Sequence, residues 1–230
     1  MKPSLFLLGL AVCLPPPALA QSFCASDGQR APVALVERFI SADCEACWSD
    51  ARSARPGPRE LAIDWIVPSA RGDDAPLSAA ATRDSLARLE ALGQGAPQDT
   101  ARLATHAVGA ANGRRLRVAH GLPFNDYIGT SIEMKPGTGG PWRAWLLLVE
   151  TIPAGTEGTP VPRNLVRNML MSAWDGRGAL SKSEQAKFVE WRPMSIPEGA
   201  NPGRLRVVGW VEDARGRVVA AAQSHCPGGH

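Results

Sequence analysis

Between Val33 and Trp48 the chain changes character within a few residues. It reads Val-Ala-Leu-Val-Glu-Arg-Phe-Ile and then Ser-Ala-Asp-Cys-Glu-Ala-Cys-Trp. The first half is a short apolar run rich in β-branched residues, the pattern of a mostly buried strand. The second half turns polar and places two cysteines three residues apart. With Asp43 or Ser41 as the cap of a helix, Cys44 falls in the first turn, where free backbone N–H groups favour a thiolate. Cys47 then lies one turn on, on the same face, within reach to resolve a mixed disulfide. Strand, turn, CxxC and helix together are the layout of a thiol–disulfide exchange motif. The same spacing also serves an inert disulfide or half of a metal site, and both readings stay open here.

The first 20 residues read as a targeting segment. Lys2 supplies the positive start, Ser4 to Leu14 the apolar stretch, and Ala18-Leu19-Ala20 a small-residue cleavage site before Gln21. A lipidation signal ending at Cys13 is the rival reading. The apolar stretch is too short to span a bilayer, and no later run approaches the necessary length. The expected location is therefore exported, periplasmic or extracellular, without stable membrane insertion. A formal net charge of +3 over 230 residues is too weak to argue for nucleic acid or an anionic surface. Beyond the leader, four cysteines remain: Cys24, Cys44, Cys47 and Cys226. An even number in an exported chain permits two disulfides. The spacing makes Cys44 and Cys47 a local pair and leaves Cys24 and Cys226 to form a structural disulfide between the two ends.

After the CxxC, Pro56 ends any helix, so that helix is short. Leu61 to Val67 is a second strand. Leu77 to Leu92 has a helical pattern with a start at Asp74 or Pro76 and a stop at Gly93. Strand, helix, strand, helix over 33–92 implies neighbouring parallel strands. Beyond Gly93 come closely spaced strand candidates: 115–119, 130–135, 142–150, 188–194, 204–212 and 217–223. The turn at Asp213-Ala214-Arg215-Gly216 reads as a hairpin. Residues 101–108 read as strand or short helix, and Asn164 to Ala173 as helix or strand. Ser181-Lys182-Ser183-Glu184 has capping-box spacing.

Two segments together resemble a family of secreted bacterial proteins with a thioredoxin-like domain and no settled function. Phe39-Ile40-Ser41-Ala42-Asp43-Cys44-Glu45-Ala46-Cys47 is similar to the family's opening phrase, with Asp43 where the family usually has Gly. Asn164-Leu165-Val166-Arg167, Trp174-Asp175-Gly176 and Gly216-Arg217-Val218-Val219-Ala220-Ala221-Ala222 look like its later portion. The family's aspartate–aromatic phrase after the second strand shrinks here to Asp64-Trp65. Its Thr-Pro-Gln, where a cis-proline would face the redox pair, has only Ala96-Pro97-Gln98 as counterpart. The resemblance implies an α/β fold. A signal peptide over 1–20 precedes a thioredoxin-like unit over 21–112, and a mainly antiparallel, β-rich C-terminal domain follows over 113–230.

No nucleophile elbow, metalloprotease helix, phosphate loop or dinucleotide fingerprint is present, and no cofactor is implied. His106, His120, His225 and His230 are scattered and read as surface or satisfied side chains. The seven tryptophans read as core, except Trp48, which follows Cys47 directly and is placed to shield the pair or touch a substrate. Three functional classes emerge. One is a thiol–disulfide oxidoreductase with Cys44 attacking and Cys47 resolving, its partner a thiol or disulfide-bearing protein or a small thiol. Glu45 argues against a strong oxidant in that case, because a nearby negative charge raises a thiol's pKa. The second is a non-enzymatic cell-envelope binding module with structural disulfides. The third is a Cys/His metal-handling protein in which His225 and Cys226 fold back over the CxxC.

Overall fold

The computed structural model describes residues 23–52, 56–110, 113–137, 139–175 and 187–227. The targeting segment, the capping-box phrase at 181–184 and His230 lie outside them. Among the described residues are eleven strands and two α-helices. In chain order they are β1 (Cys24–Ala25), β2 (Ala34–Ser41), α1 (Glu45–Trp48), β3 (Glu60–Val67), α2 (Arg83–Ala91), β4 (Ala101–Ala107), β5 (Arg115–His120) and β6 (Tyr127–Lys135). Then follow β7 (Trp142–Ile152), β8 (Arg163–Trp174), β9 (Phe188–Ser195), β10 (Leu205–Glu212) and β11 (Val218–Gln223).

The strands form two sheets. The larger has the order β11-β10-β7-β8-β3-β2-β4, and the smaller β1-β5-β6-β9. In the larger sheet β3 runs parallel to both β2 and β8, and every other pairing is antiparallel. The α/β expectation is thereby corrected: the protein is mostly β, in two sheets, and not a thioredoxin-like α/β fold with several helices. The local reading of parallel neighbours at 33–67 holds in the pairing of β2 with β3. What fails is the helical content. The segment expected to be helical from Leu77 starts with a 3-10 turn at Ser78–Ala80, and α2 begins only at Arg83, capped by Thr82 Oγ1 bonding Asp84 N at 2.9 Å. The dual-natured stretch after Asn164 is β8, a twelve-residue strand. It enters the larger sheet beside β3, so strands from both sides of residue 112 share one sheet.

Alternation along the strands divides the core. From β10, Val208 and Trp210 join Trp145, Leu147 and Val149 of β7, Leu35 and Phe39 of β2, and Trp65 of β3, beneath Leu89 of α2. The opposite face of β10 and β7, with Leu205, Val207, Val211, Leu146 and Leu148, meets Val118, Ile128, Ile132 and Met134 of the smaller sheet. Two layers of strands are thus sealed by apolar side chains, the usual solution for antiparallel sheets.

Beneath α2 the apolar core encloses a charged group. Arg88 is fully buried and bonds Glu37 at 2.7 Å and Glu212 at 2.7 Å. Its guanidinium lies over the rings of Trp145 and Trp210, at 4.5 and 5.0 Å from their centroids. The indole N–H groups of Trp65, Trp145 and Trp210 donate to the same two carboxylates. One guanidinium thus serves two carboxylates; Arg143 also lies 3.9 Å from Glu212 and His106 Nε2 3.2 Å from Glu37, and the hydrogen bonds from these three indoles help make the burial tolerable.

Candidate functional site

Strand β2 ends at Ser41 and the chain turns at once. Ala42 N bonds Val67 O, and Cys44 N bonds Ser41 O, both at 2.9 Å. Asp43, expected as a cap, instead accepts from Ser69 Oγ at 3.0 Å. The cap of α1 is Cys44 itself, whose Sγ accepts from Cys47 N at 3.2 Å. Cys44 and Cys47 are joined as a disulfide. Cys44 is 7% exposed, Cys47 is half-buried, and Glu45 and Ala46 between them face solvent. The sulfur expected to attack is therefore the better shielded of the two.

The far end of α1 rests on a buried cation. Arg163 Nη2 donates to Trp48 O at 2.7 Å and to Cys47 O at 3.3 Å, satisfying carbonyls that a one-turn helix leaves open. Its Nε donates to Thr159 Oγ1, and its Nη1 lies 3.3 Å from Asp64 Oδ1. Asp64, fully buried in β3, also binds Arg38 Nε at 2.7 Å and accepts from Asn164 N at 3.0 Å. Burial pushes the Asp64 carboxyl above its ordinary value, against the pull of Arg38 and Arg163. Trp48 completes the base: Arg163 lies over its ring at 5.2 Å, and its indole donates to Glu157 O at 2.7 Å. Disulfide, turn and buried charges form one connected block on the face of the sheet opposite α2.

Beside that block is a pocket of about 230 Å³, lined by Trp48, Ile66, Leu77, Ile152 and Leu165 and by the charged Arg167 and Glu198. Its walls are largely apolar and Trp48 ties it directly to Cys47. A larger cleft of about 970 Å³ shares no residue with the CxxC turn. Two of its cations are already paired, Arg117 with Asp27 and Lys135 with Glu133.

Cys24 and Cys226 are bonded to each other, 202 positions apart. Pro97 is buried in the loop between α2 and β4; the cis peptides among the described residues precede Pro136 and Pro141 instead. The imagined closure of His225 and Cys226 over the CxxC is replaced by another grouping. Cys226 meets Cys24 and His120, the one cluster of three soft or imidazole ligands among the described residues. His120 is buried, which lowers its pKa, and His106 Nε2 lies 3.2 Å from Glu37. Sequence reading missed Arg38, Asp64 and Arg163 as supports of the CxxC. The available signal was a charge inside each apolar strand, Arg38 in β2 and Asp64 in β3. Comparison with protein-family models, with curated proteins and with solved structures finds no match.

Proposed function

We propose that the protein is an exported thiol–disulfide oxidoreductase working through the Cys44–Cys47 pair. The observation that carries this reading is the hydrogen bond from Cys47 N to Cys44 Sγ. A donor already aimed at that sulfur stabilises it as a thiolate when the disulfide opens. An incoming thiolate attacks the half-buried Cys47 Sγ, forming a mixed disulfide, and the Cys44–Cys47 bond breaks with its electron pair going to Cys44. A second thiolate of the substrate then attacks the substrate's own sulfur and releases Cys47. The sum is one substrate dithiol oxidised and the Cys44–Cys47 disulfide reduced to two thiols, with two electrons and two protons transferred. In reverse, Cys47 attacks a substrate disulfide and Cys44 resolves. The order of roles is the opposite of the one expected from spacing alone, because burial favours the reachable sulfur as the point of attack.

The pocket beside Trp48 supports a substrate that presents an apolar side chain next to its cysteine, a thiol or disulfide-bearing polypeptide rather than a bare small thiol. Two disulfides and the apolar leader support export. The alternative, a binding module with two structural pairs, is favoured by one observation, the burial of Cys44.

A dithiol peptide with a leucine beside one cysteine tests the choice. The oxidised protein should speed its oxidation well above the uncatalysed exchange, and the doubly substituted Cys44→Ser, Cys47→Ser protein should not. Equal rates for the two proteins sink the proposal and leave the binding module.

A further inference from the structure

Strand β1 pairs with β5 so that Cys24 lies directly opposite His120, and the disulfide brings Cys226 to the same place. His120 Nε2 stands 4.0 Å from Cys226 Sγ, and the three potential ligand atoms lie within 4.8 Å of one another. His120 Nδ1 is 2.8 Å from Gly121 O. A carbonyl oxygen only accepts, so Nδ1 carries the hydrogen and the Nε2 lone pair faces the sulfur. An imidazole oriented through one nitrogen by a backbone carbonyl, with the other nitrogen free toward sulfur, is the arrangement of a metal-ligating histidine. A disulfide offers that lone pair no proton.

Backbone hydrogen bonds also tether the chain around the cluster. Phe23 N bonds His120 O at 2.9 Å, and Ala25 and His225 exchange backbone bonds at 3.0 and 2.9 Å. These ladders hold the residues flanking both cysteines. Cys24 and His120 are buried, while Cys226 is half-buried and open to a reagent.

We propose that Cys24, His120 and Cys226 form, in the reduced protein, a binding site for a soft d10 cation, copper(I) or zinc(II). A dithiol reductant transfers two electrons and two protons to the Cys24–Cys226 disulfide, giving two thiols and the reductant's own disulfide. The cation then displaces the two thiol protons and takes two thiolates and the imidazole. Three ligands complete a trigonal copper(I) site, whereas zinc(II) would add a water as its fourth ligand. The staple is thereby also a redox-gated metal site, closed to metal when oxidised.

The test uses the full chain carrying Cys44→Ser and Cys47→Ser, so that the CxxC thiols do not compete. The protein is reduced with a phosphine under inert gas, freed of the phosphine, and titrated with copper(I) and separately with zinc(II) against chromophoric chelators. One equivalent of at least one cation should bind. His120→Ala should weaken that binding at least tenfold, His120→Asn should do the same, and the oxidised protein should take up none. The proposal is overturned if neither cation binds, if both histidine variants bind as tightly, or if oxidised protein binds equally. Far-UV circular dichroism accompanies each titration. A reduced protein that stays folded, or refolds on adding the cation, agrees with a built site; one that is unfolded with and without the cation contradicts it.

Discussion

Glu37 and Asp64 are carboxylates inside apolar strands, and each is fully buried against a guanidinium. They hold different things. Glu37 anchors Arg88 of α2, whereas Asp64 anchors Arg163 and through it the CxxC turn. For Glu37, burial alone raises the pKa, but hydrogen bonds and charges from His106 and Arg88 outweigh it and hold the group below its ordinary value. A depressed carboxyl contributes stability that is present above its unfolded value of 4.5 and is lost as pH falls through the folded value. Denaturant unfolding measured from about pH 6 down to pH 3 should show stability falling in acid, and Glu37→Gln should flatten that fall. An unchanged slope in the variant would remove Glu37 from the acid response. Such charges were visible in the sequence as interruptions of apolar runs. Their partners were not, since Glu37 and Arg88 are 51 positions apart and only the fold joins them.

Strand β10 is the element on which both layers meet. Its residues alternate between the tryptophan-rich core under α2 and the seam with the smaller sheet. At Gly209 the seam is so close that an added Cβ would sit 2.7 Å from Val118 Cγ1, 2.8 Å from Ile132 Cδ1 and 3.2 Å from Trp145 O. Gly209→Ala should therefore wedge the sheets apart and cost about 1–3 kcal/mol of stability, read as a lower denaturant midpoint with the slope unchanged. Most strands were legible within a residue or two of their ends, because alternating or continuous apolar runs bounded by Gly and Pro have few other readings. Leu77 to Leu92 was misjudged because alanines and leucines carry a helical pattern through Ser78–Ala80, where the chain makes a 3-10 turn instead. For β8 both periods fit Asn-Leu-Val-Arg-Asn-Met-Leu-Met. Which strands pair was not legible, because β8 reaches β3 across about 100 residues and local pattern carries no information at that distance.

The two ends of the described chain are tied by Cys24–Cys226, and strand order rather than helix packing organises what lies between. A bridge spanning 202 positions restricts the unfolded chain strongly, worth about 5 kcal/mol at most in the chain-entropy model. Cys24→Ser should lower the melting temperature clearly while leaving exchange at Cys44 and Cys47 intact. Loss of that exchange in a folded variant would mean that the two pairs act together. The CxxC block stands on a separate support, the Arg38–Asp64–Arg163 group, and this is why the two disulfides are assigned different work. The most direct measurement is a redox titration of the whole protein in dithiol/disulfide buffers, with mass mapping of all four cysteines. Cys44–Cys47 should open and close reversibly with a midpoint above about −300 mV, and Cys24–Cys226 should open only at a lower potential than that pair. A Cys44–Cys47 bond that remains closed below that potential, as structural disulfides do, would contradict the account.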